Sequence, residues 1–199
     1  MGVKERRVRE KEETKASILA TAWQMAKEEG WHSLSIRKIA DAIEYSAPVI
    51  YDHFENKEAI LREFVGQGFE LLSKKLGQAK EKHTDPGEQL KAMADAYWNF
   101  ALKNKEYYQL MFGVGMASCD EKKSDSGCVG FDDHIWDSIE AMMSKSKKTE
   151  NNVCLKYHTF WSILHGLVSI KIMGNSSADR ELNKMVLDDA IEGFLRNLK

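Results

Sequence analysis

The sequence predicts an all-α protein, and three observations carry that expectation. Only two of its 199 residues are proline, Pro48 and Pro86, so little interrupts helix. The remainder is rich in Ala, Leu, Glu, Lys and Met, which are strong helix formers. Apolar side chains also recur at helical spacing in one segment after another. A hydrophobic fraction of 43% beside 30% charged residues is that of a globular chain and excludes wholesale disorder. The length suffices for one generous domain or two small ones.

Each helix has its own justification. From about Lys11 to Glu29, Ile18, Leu19, Ala22, Met25 and Ala26 share a face, and Gly30 supplies the stop. Ile36, Ile39, Ala40 and Ile43 form the stripe of a short second helix that Ser35 caps. In "YSAPVIYDHFENK" a third helix follows, very short, capped by Ser46. Pro48 is tolerated there because first-turn N–H groups have no intrahelical partner. Asn56 caps a long fourth helix reaching about Lys82, with Ile60, Leu61, Phe64 and Leu71 on its apolar side. "HTDPGEQ" reads as a turn and a break between N-terminal and C-terminal parts. Further helices are expected near 87–102, 106–116, 131–144, 151–173 and 178–198. The polar "MASCDEKKSDSGCVG" between two of them reads as a long exposed loop.

The net charge of −2 rules out a uniformly basic coat but not a local basic face. "MGVKERRVREKEETK" lacks the apolar core of a signal peptide, and no apolar run approaches a membrane span. Three cysteines at irregular spacing do not describe a disulfide framework. A cytoplasmic protein without a membrane partner is the expectation.

Helix, turn and short helix together give the geometry of a helix-turn-helix, in which the second helix enters the DNA major groove. With Ile36, Ile39, Ala40, Ile43, Ile50 and Phe54 inward, Ala47, Pro48, Val49, Tyr51, Asp52 and His53 are left facing out. The stretch "SLSIRKIADAIEYSAPVIYDHFENKEAIL" is similar to the DNA-binding region of TetR/AcrR-type transcriptional regulators. Ser35, Ile39-Ala40, Ser46, Tyr51, Phe54 and Lys57-Glu58 stand in that family's register. The resemblance implies that Ser35 and Arg37 contact phosphate. It also implies that Ala47, Pro48 and Val49, following Ser46, approach base edges, and that Tyr51, His53 and Lys57 hold the backbone on either side. These side-chain types are those that meet phosphate and fix register. None offers the bidentate arginine readout of guanine, so shape and half-site spacing would supply part of the specificity. Two positions depart from the pattern. Glu44 occupies a turn position where the family has glycine, which asks a non-glycine residue for a strained conformation, and Asp52 adds negative charge on the exposed side. The basic start "KERRVREK" reads either as a minor-groove arm or as a solvated, frayed beginning of the first helix.

Residues 1–57 are thus expected to form a helix-turn-helix DNA-binding domain and 58–199 a ligand-sensing and dimerisation domain. "HTFWSILHGLVSIKI" is apolar nearly all round, so both its sides need cover. A stripe of Leu182, Met185, Val186, Ala190 and Phe194 on the last helix could complete a two-plus-two helix interface. A homodimer also suits a palindromic double-stranded operator, because one short recognition helix reads few base pairs. Trp161, His165 and Gly166 resemble the Trp-His-Gly (WHG) signature of one C-terminal domain type in this family, and "KNKEYYQLMFG" resembles an earlier motif of it. Gly166 reads as a point of close helix approach. Tyr97, Trp98, Tyr108, Met111, Phe112, Trp136, Trp161 and His165, with Met93, Tyr107 and Met116, are dense in aromatic and soft side chains. Such a set lines a pocket for an apolar or aromatic effector, or forms a plain aromatic core. His165 could orient a ligand or be a satisfied core residue.

The whole reads as a ligand-released transcriptional repressor and not as an enzyme. No nucleophile–base set, phosphate loop, metal signature or cofactor motif is recognisable. Cys119 and Cys128, with Asp120, Asp132, Asp133 and His134, match no standard metal spacing. The alternative is a helical protein-interaction module without specific DNA binding.

Overall fold

The computed structural model describes residues 2–113, 122–123, 129–130, 132–144, 152–173 and 180–198. Among them the helices are α1 (Val3–Glu29), α2 (Ile36–Ala42), α3 (Ala47–Tyr51), α4 (Lys57–Lys80), α5 (Pro86–Lys103), α6 (Lys105–Gly113), α7 (Asp133–Met143), α8 (Val153–Met173) and α9 (Arg180–Leu198), with a 3-10 turn at Trp31–Ser33. The all-α expectation holds. One addition lies in the stretch expected to be a loop, where β1 (Lys122–Lys123) pairs antiparallel with β2 (Val129–Gly130). The expected extension of α6 to Met116, the start of α7 at Phe131, and Cys119, Asp120 and Cys128 lie outside the described residues. Cys154 is disulfide-bonded, a bond that the irregular cysteine spacing did not suggest.

The chain divides into two compact units. The first takes in Met1–Gln67 and Glu106–Ala117. Ile18, Ala22 and Ala26 of α1, Ile39 and Ala40 of α2, Ile50 of α3, and Ile60, Leu61 and Phe64 of α4 form its core. Gly30 ends α1 at φ 82°, a conformation that favours glycine. Helix α1 begins well before Lys11 because its first turns are laced by charge. Arg6 pairs with Glu10 at 2.7 Å and Arg9 with Glu13 at 3.4 Å, while the Gly2 N–H donates to Glu5 Oε2 at 2.8 Å. The basic start is therefore helical.

An aromatic cluster holds this unit together. The Trp31 ring lies 5.7 Å from Trp23 and 5.2 Å from Phe64, and Trp23 lies 4.4 Å from Tyr107. The Trp31 indole donates to the Glu106 carbonyl at 2.7 Å, which anchors α6 here.

The second unit comprises Gly68–Lys105 and Ser118–Lys199, in which α5, α7, α8 and α9 pack on one another. Leu90, Met93 and Tyr97 of α5, Ile135 and Ile139 of α7, Phe160 and Leu164 of α8, and Leu187 and Ile191 of α9 fill the interior. Asp85 starts α5 by accepting from Gly87 N at 3.0 Å and Glu88 N at 3.1 Å. Gly77 is the position of close approach, since a Cβ there would stand 2.8 Å from His134 Nε2. Gly166 is not such a position: a Cβ on it would have no atom within 4 Å.

Asp132 caps α7. Its Oδ1 accepts from His134 N at 2.9 Å, and its own N–H donates to the Tyr157 hydroxyl at 3.4 Å. The side chain is buried and Oδ2 has no hydrogen-bond partner. Burial pushes the carboxyl above its ordinary range, although Ser73 and His134 pull the other way. A raised folded-state pKa stabilises the protein at low pH, and the contribution is lost as pH rises through the folded value. Asp132→Asn keeps the capping oxygen without the charge. It should therefore stabilise the fold by about 1 kcal/mol near neutrality, with the gain vanishing on acidification. Thermal unfolding across pH measures this, and a gain that does not change with pH would refute it.

Candidate nucleic-acid interface and aromatic cluster

The interface is built from the turn outward. Ser35 caps α2, its hydroxyl accepting from Lys38 N at 3.2 Å, and Lys38 Nζ ties α2 to Glu29 of α1 at 3.0 Å. At the end of α2 the Tyr45 N–H donates to the Ala40 carbonyl at 3.0 Å and the Glu44 N–H to the Asp41 carbonyl at 3.3 Å. These are the two bonds of a Schellman ending, and that motif places one residue in the left-handed region. The residue here is Glu44, with φ 60°, so the strain expected at this position is present. A left-handed non-glycine residue costs about 1–2 kcal/mol. Glu44→Gly should raise the unfolding free energy by about 0.5–1 kcal/mol in denaturant titration, while Glu44→Ala, which keeps the Cβ, gains nothing. Equal gains from both would mean that charge, not backbone conformation, sets the cost.

After the turn, α3 is a five-residue helix. Ser46 stands at its N-cap in extended conformation but makes no side-chain cap bond. That corrects the sequence reading: the Val49 N–H is held by the Ser46 carbonyl at 3.0 Å instead of its hydroxyl. Ile50 and Phe54 anchor the helix inward. Pro48, Tyr51 and Asp52 are exposed, with Tyr51 at 55%, and Ala47, Val49 and His53 are half-buried. Ser35 is half-buried, Arg37 and Ser46 are exposed, and Lys57 is half-buried at the start of α4. Asn56 caps α4, its Oδ1 accepting from Ala59 N at 2.8 Å. Tyr51 closes α3, and His53 and Lys57 follow it within six positions, on a segment pinned by Ile50, Phe54 and the Asn56 cap.

Two basic residues of α1 join this surface that the sequence reading left aside. Burial lowers the His53 pKa, and the charges of Lys11 and Lys15 lower it further against the opposing pull of Asp52. Lys15 Nζ lies 5.6 Å over the Phe54 ring and 3.2 Å from Glu63 Oε2. Their four-residue spacing on α1 was the available signal. Tyr45, 50% exposed in the turn, is a further aromatic at this surface.

The aromatic set is distributed over both units. Tyr108, Met111 and Phe112 belong to the first, where the Tyr108 and Phe112 rings lie 4.9 Å apart. Tyr97, Trp98, Trp136, Trp161 and His165 belong to the second. There the Tyr97 ring meets Trp161 edge-on at 5.0 Å, and Trp161 stacks on His165 at 5.9 Å. His165 sits between two hydroxyls, with Nδ1 3.4 Å from Tyr97 Oη and Nε2 3.4 Å from Ser169 Oγ. Its burial lowers the pKa, so near neutrality the imidazole is uncharged and can both donate and accept. Trp136 stands 5.9 Å from Tyr157, and Trp98 is buried. Tyr157 and Ser169, which complete these contacts, carried no signal in composition. Among the described residues no group of His, Cys, Asp and Glu could hold a metal ion, and no helix is long and apolar enough to cross a membrane.

Residues 18–64 match the model of bacterial regulatory proteins of the tetR family, and residues 90–193 match the tetracyclin repressor-like C-terminal domain. The chain is 26% identical over 194 residues to the HTH-type transcriptional activator FasR of Mycolicibacterium smegmatis, covering 94% of this chain and 81% of that protein. In fold it is similar to the fatty acid degradation regulator FadR of Bacillus halodurans, with TM-score 0.68 at 17% identity over 91% of this chain and 94% of that one. It is also similar to AibR, solved in complex with isovaleryl coenzyme A and operator DNA, with TM-score 0.60 at 16% identity over 90% and 96% of the two chains.

Proposed function

Because the chain belongs to the TetR family of bacterial regulatory proteins, we propose that this DNA-binding transcriptional regulator is a homodimeric cytoplasmic repressor released from a palindromic operator by a small apolar or aromatic molecule. The observation that carries the DNA reading is α3, a short helix anchored by Ile50 and Phe54 that leaves Pro48, Tyr51 and Asp52 outward. Ser35, Arg37, Tyr51, His53 and Lys57 hold phosphates on either side, and Ser46, Ala47, Pro48 and Val49 face the base edges. The division of labour is 1–57 for DNA and 58–199 for effector and dimer. No reaction is assigned to the chain.

Dimerisation is supported by α8 and α9. Leu155 and Ile170 of α8 are 59% and 71% exposed, and Leu182 and Met185 of α9 are 54% and 61% exposed. Four large apolar side chains left in water on two adjoining helices favour burial against a second copy. The stripe read on α9 is divided, because Phe194 is buried within the unit and packs on Phe160 at 5.2 Å. The effector reading rests on buried Tyr97 with half-buried Trp161 and His165, where a neutral imidazole could orient a ligand. AibR, solved with both a coenzyme A thioester and DNA, is a precedent for two such partners on this fold.

Selecting bound duplexes from a random pool tests the DNA reading, and screening small molecules for release tests the effector. An inverted repeat bound by a dimer is expected. Absence of salt-dependent binding to any duplex would favour the protein-interaction alternative. Regulatory sign is read from transcription in a strain lacking the protein: it should rise, and a fall would make this chain an activator, as FasR is named.

A pH dependence follows from His53. Its pKa lies below the ordinary value in the free protein, through burial and the charges of Lys11 and Lys15. A phosphate beside it favours the imidazolium, so the bound state holds more protons and operator affinity rises as pH falls from about 7.5 toward 5.5. His53→Gln should flatten this profile in fluorescence-anisotropy titrations. A wild-type profile that is already flat would remove His53 from the phosphate contacts.

A further inference from the structure

A cleft of about 410 Å³ runs between the last turns of α4 and the outer side of α5, wholly within the second unit. Its α5 residues Ala92, Ala96, Asn99 and Lys103 lie about half a turn from the stripe of Leu90, Met93, Tyr97 and Ala101 that faces the core. The cleft is therefore separate from the Tyr97–Trp161–His165 cluster. Its volume falls within the range of small-molecule sites.

The charge on its walls is one-sided. Lys75, Lys82 and Lys103 line it, with His83 beside them. Asp95 is the carboxylate among the lining residues, and Lys184 Nζ already holds it at 2.6 Å. No ion pair engages Lys75, Lys82 or Lys103 among the described residues. Cations at helix ends offset the macrodipole, which accounts for Lys82 and Lys103 but not for Lys75, which lies inside α4 and is half-buried. The floor is apolar, made by buried Ala79 and Phe100 and by Ala92 and Ala96. The small alanines leave the space that the cleft occupies.

We infer that this cleft binds a small organic anion, with its carboxylate or phosphate oxygens among Lys75, Lys82 and Lys103 and its apolar body on Phe100 and the alanines. Lysines suit either oxyanion because each acts as a point charge. The apolar floor adds a contact with the ligand's apolar body that free phosphate cannot make.

Calorimetric titration of the full chain tests this with 2-naphthoate, 2-naphthyl phosphate, 2-naphthalenemethanol and inorganic phosphate. Either naphthyl anion should bind, and the two arms tell carboxylate from phosphate. The neutral alcohol and inorganic phosphate should bind about tenfold more weakly or not at all. Lys75→Gln with Lys103→Gln should lower the affinity for the anion about tenfold, and added salt should weaken it. Lys91→Gln, on the same helix as Lys103 but outside the cleft, where Lys91 pairs with Glu88, should leave it unchanged. The inference is overturned if neither anion binds at millimolar concentration or if the alcohol binds equally well. It also fails if the double variant binds like the wild type, or if Lys91→Gln lowers the affinity as much as the lysine pair does. DNA binding plays no part in these measurements, so failure here leaves the proposed regulator intact.

Discussion

Trp31→Ala should lower the unfolding free energy by about 3–5 kcal/mol, the range for removing a buried tryptophan, and the thermal midpoint by roughly 10 °C. Trp31 is 6% exposed, with Trp23 and Phe64 rings 5.7 and 5.2 Å away. Its loss opens a cavity where α1, the 3-10 turn and α4 meet. It also removes the hydrogen bond that the part-buried Glu106 carbonyl accepts from the indole at 2.7 Å, a further contribution of about 0.5–1.5 kcal/mol. Trp31→Phe separates the two contributions, because it retains a ring but not the donor. Denaturant unfolding measures both variants. A Trp31→Ala midpoint within about 0.5 kcal/mol of the wild type, the range of ordinary surface changes, would mean that the cluster is not the core of this unit.

The second large effect is on DNA. Tyr51→Ala combined with Lys57→Ala removes two proposed phosphate contacts per protomer and four per dimer. At about 1 kcal/mol for each contact, operator affinity should fall roughly a thousandfold. Only Lys57 carries charge, so the slope of log K against log salt should become shallower by about 1.8 for the dimer. The loss should be uniform over operator variants, whereas Val49 substitutions should change the preferred sequence. Tyr51 is exposed and Lys57 sits on the first turn of α4, so the fold should survive. Unchanged affinity with an unchanged salt slope would remove both residues from the interface.

The helix-turn-helix was legible because its signals are local. Ile39, Ala40, Ile50 and Phe54 are buried at the spacing that periodicity gives, and Ser35, Asn56 and Gly30 act within a few residues of themselves. The strain at Glu44 could be read as well, because a Schellman ending asks for glycine whatever the tertiary context. What escaped was long-range. The Trp31–Glu106 bond joins positions 75 apart in sequence, so nothing local could assign α6 to the first unit. The same holds for Lys11 and Lys15 beside His53, and for Tyr157 beside Asp132. Composition gathered Tyr108, Met111 and Phe112 with Trp161 and His165, but composition carries no distance, and the structure places the two groups in different units. The cap at Ser46 failed for a different reason: with Pro48 contributing no N–H, the Val49 N–H is already taken by a backbone carbonyl.

The first unit is assembled from two separated pieces of chain, Met1–Gln67 and Glu106–Ala117, and this governs what a protease or a shortened gene would yield. The boundary at Gln67 falls inside α4, which continues unbroken to Lys80, so no linker marks a place to cut. A fragment ending within α4 loses the Glu106 carbonyl, the Tyr107 ring against Trp23 and the bond from Tyr107 to Gln67 at 3.3 Å. Nicking at the exposed turn around His83–Asp85 leaves every one of these contacts in place while severing the backbone. The first unit should therefore persist as a noncovalent pair of peptides after limited digestion, yet be poorly folded when expressed from its N-terminal stretch alone.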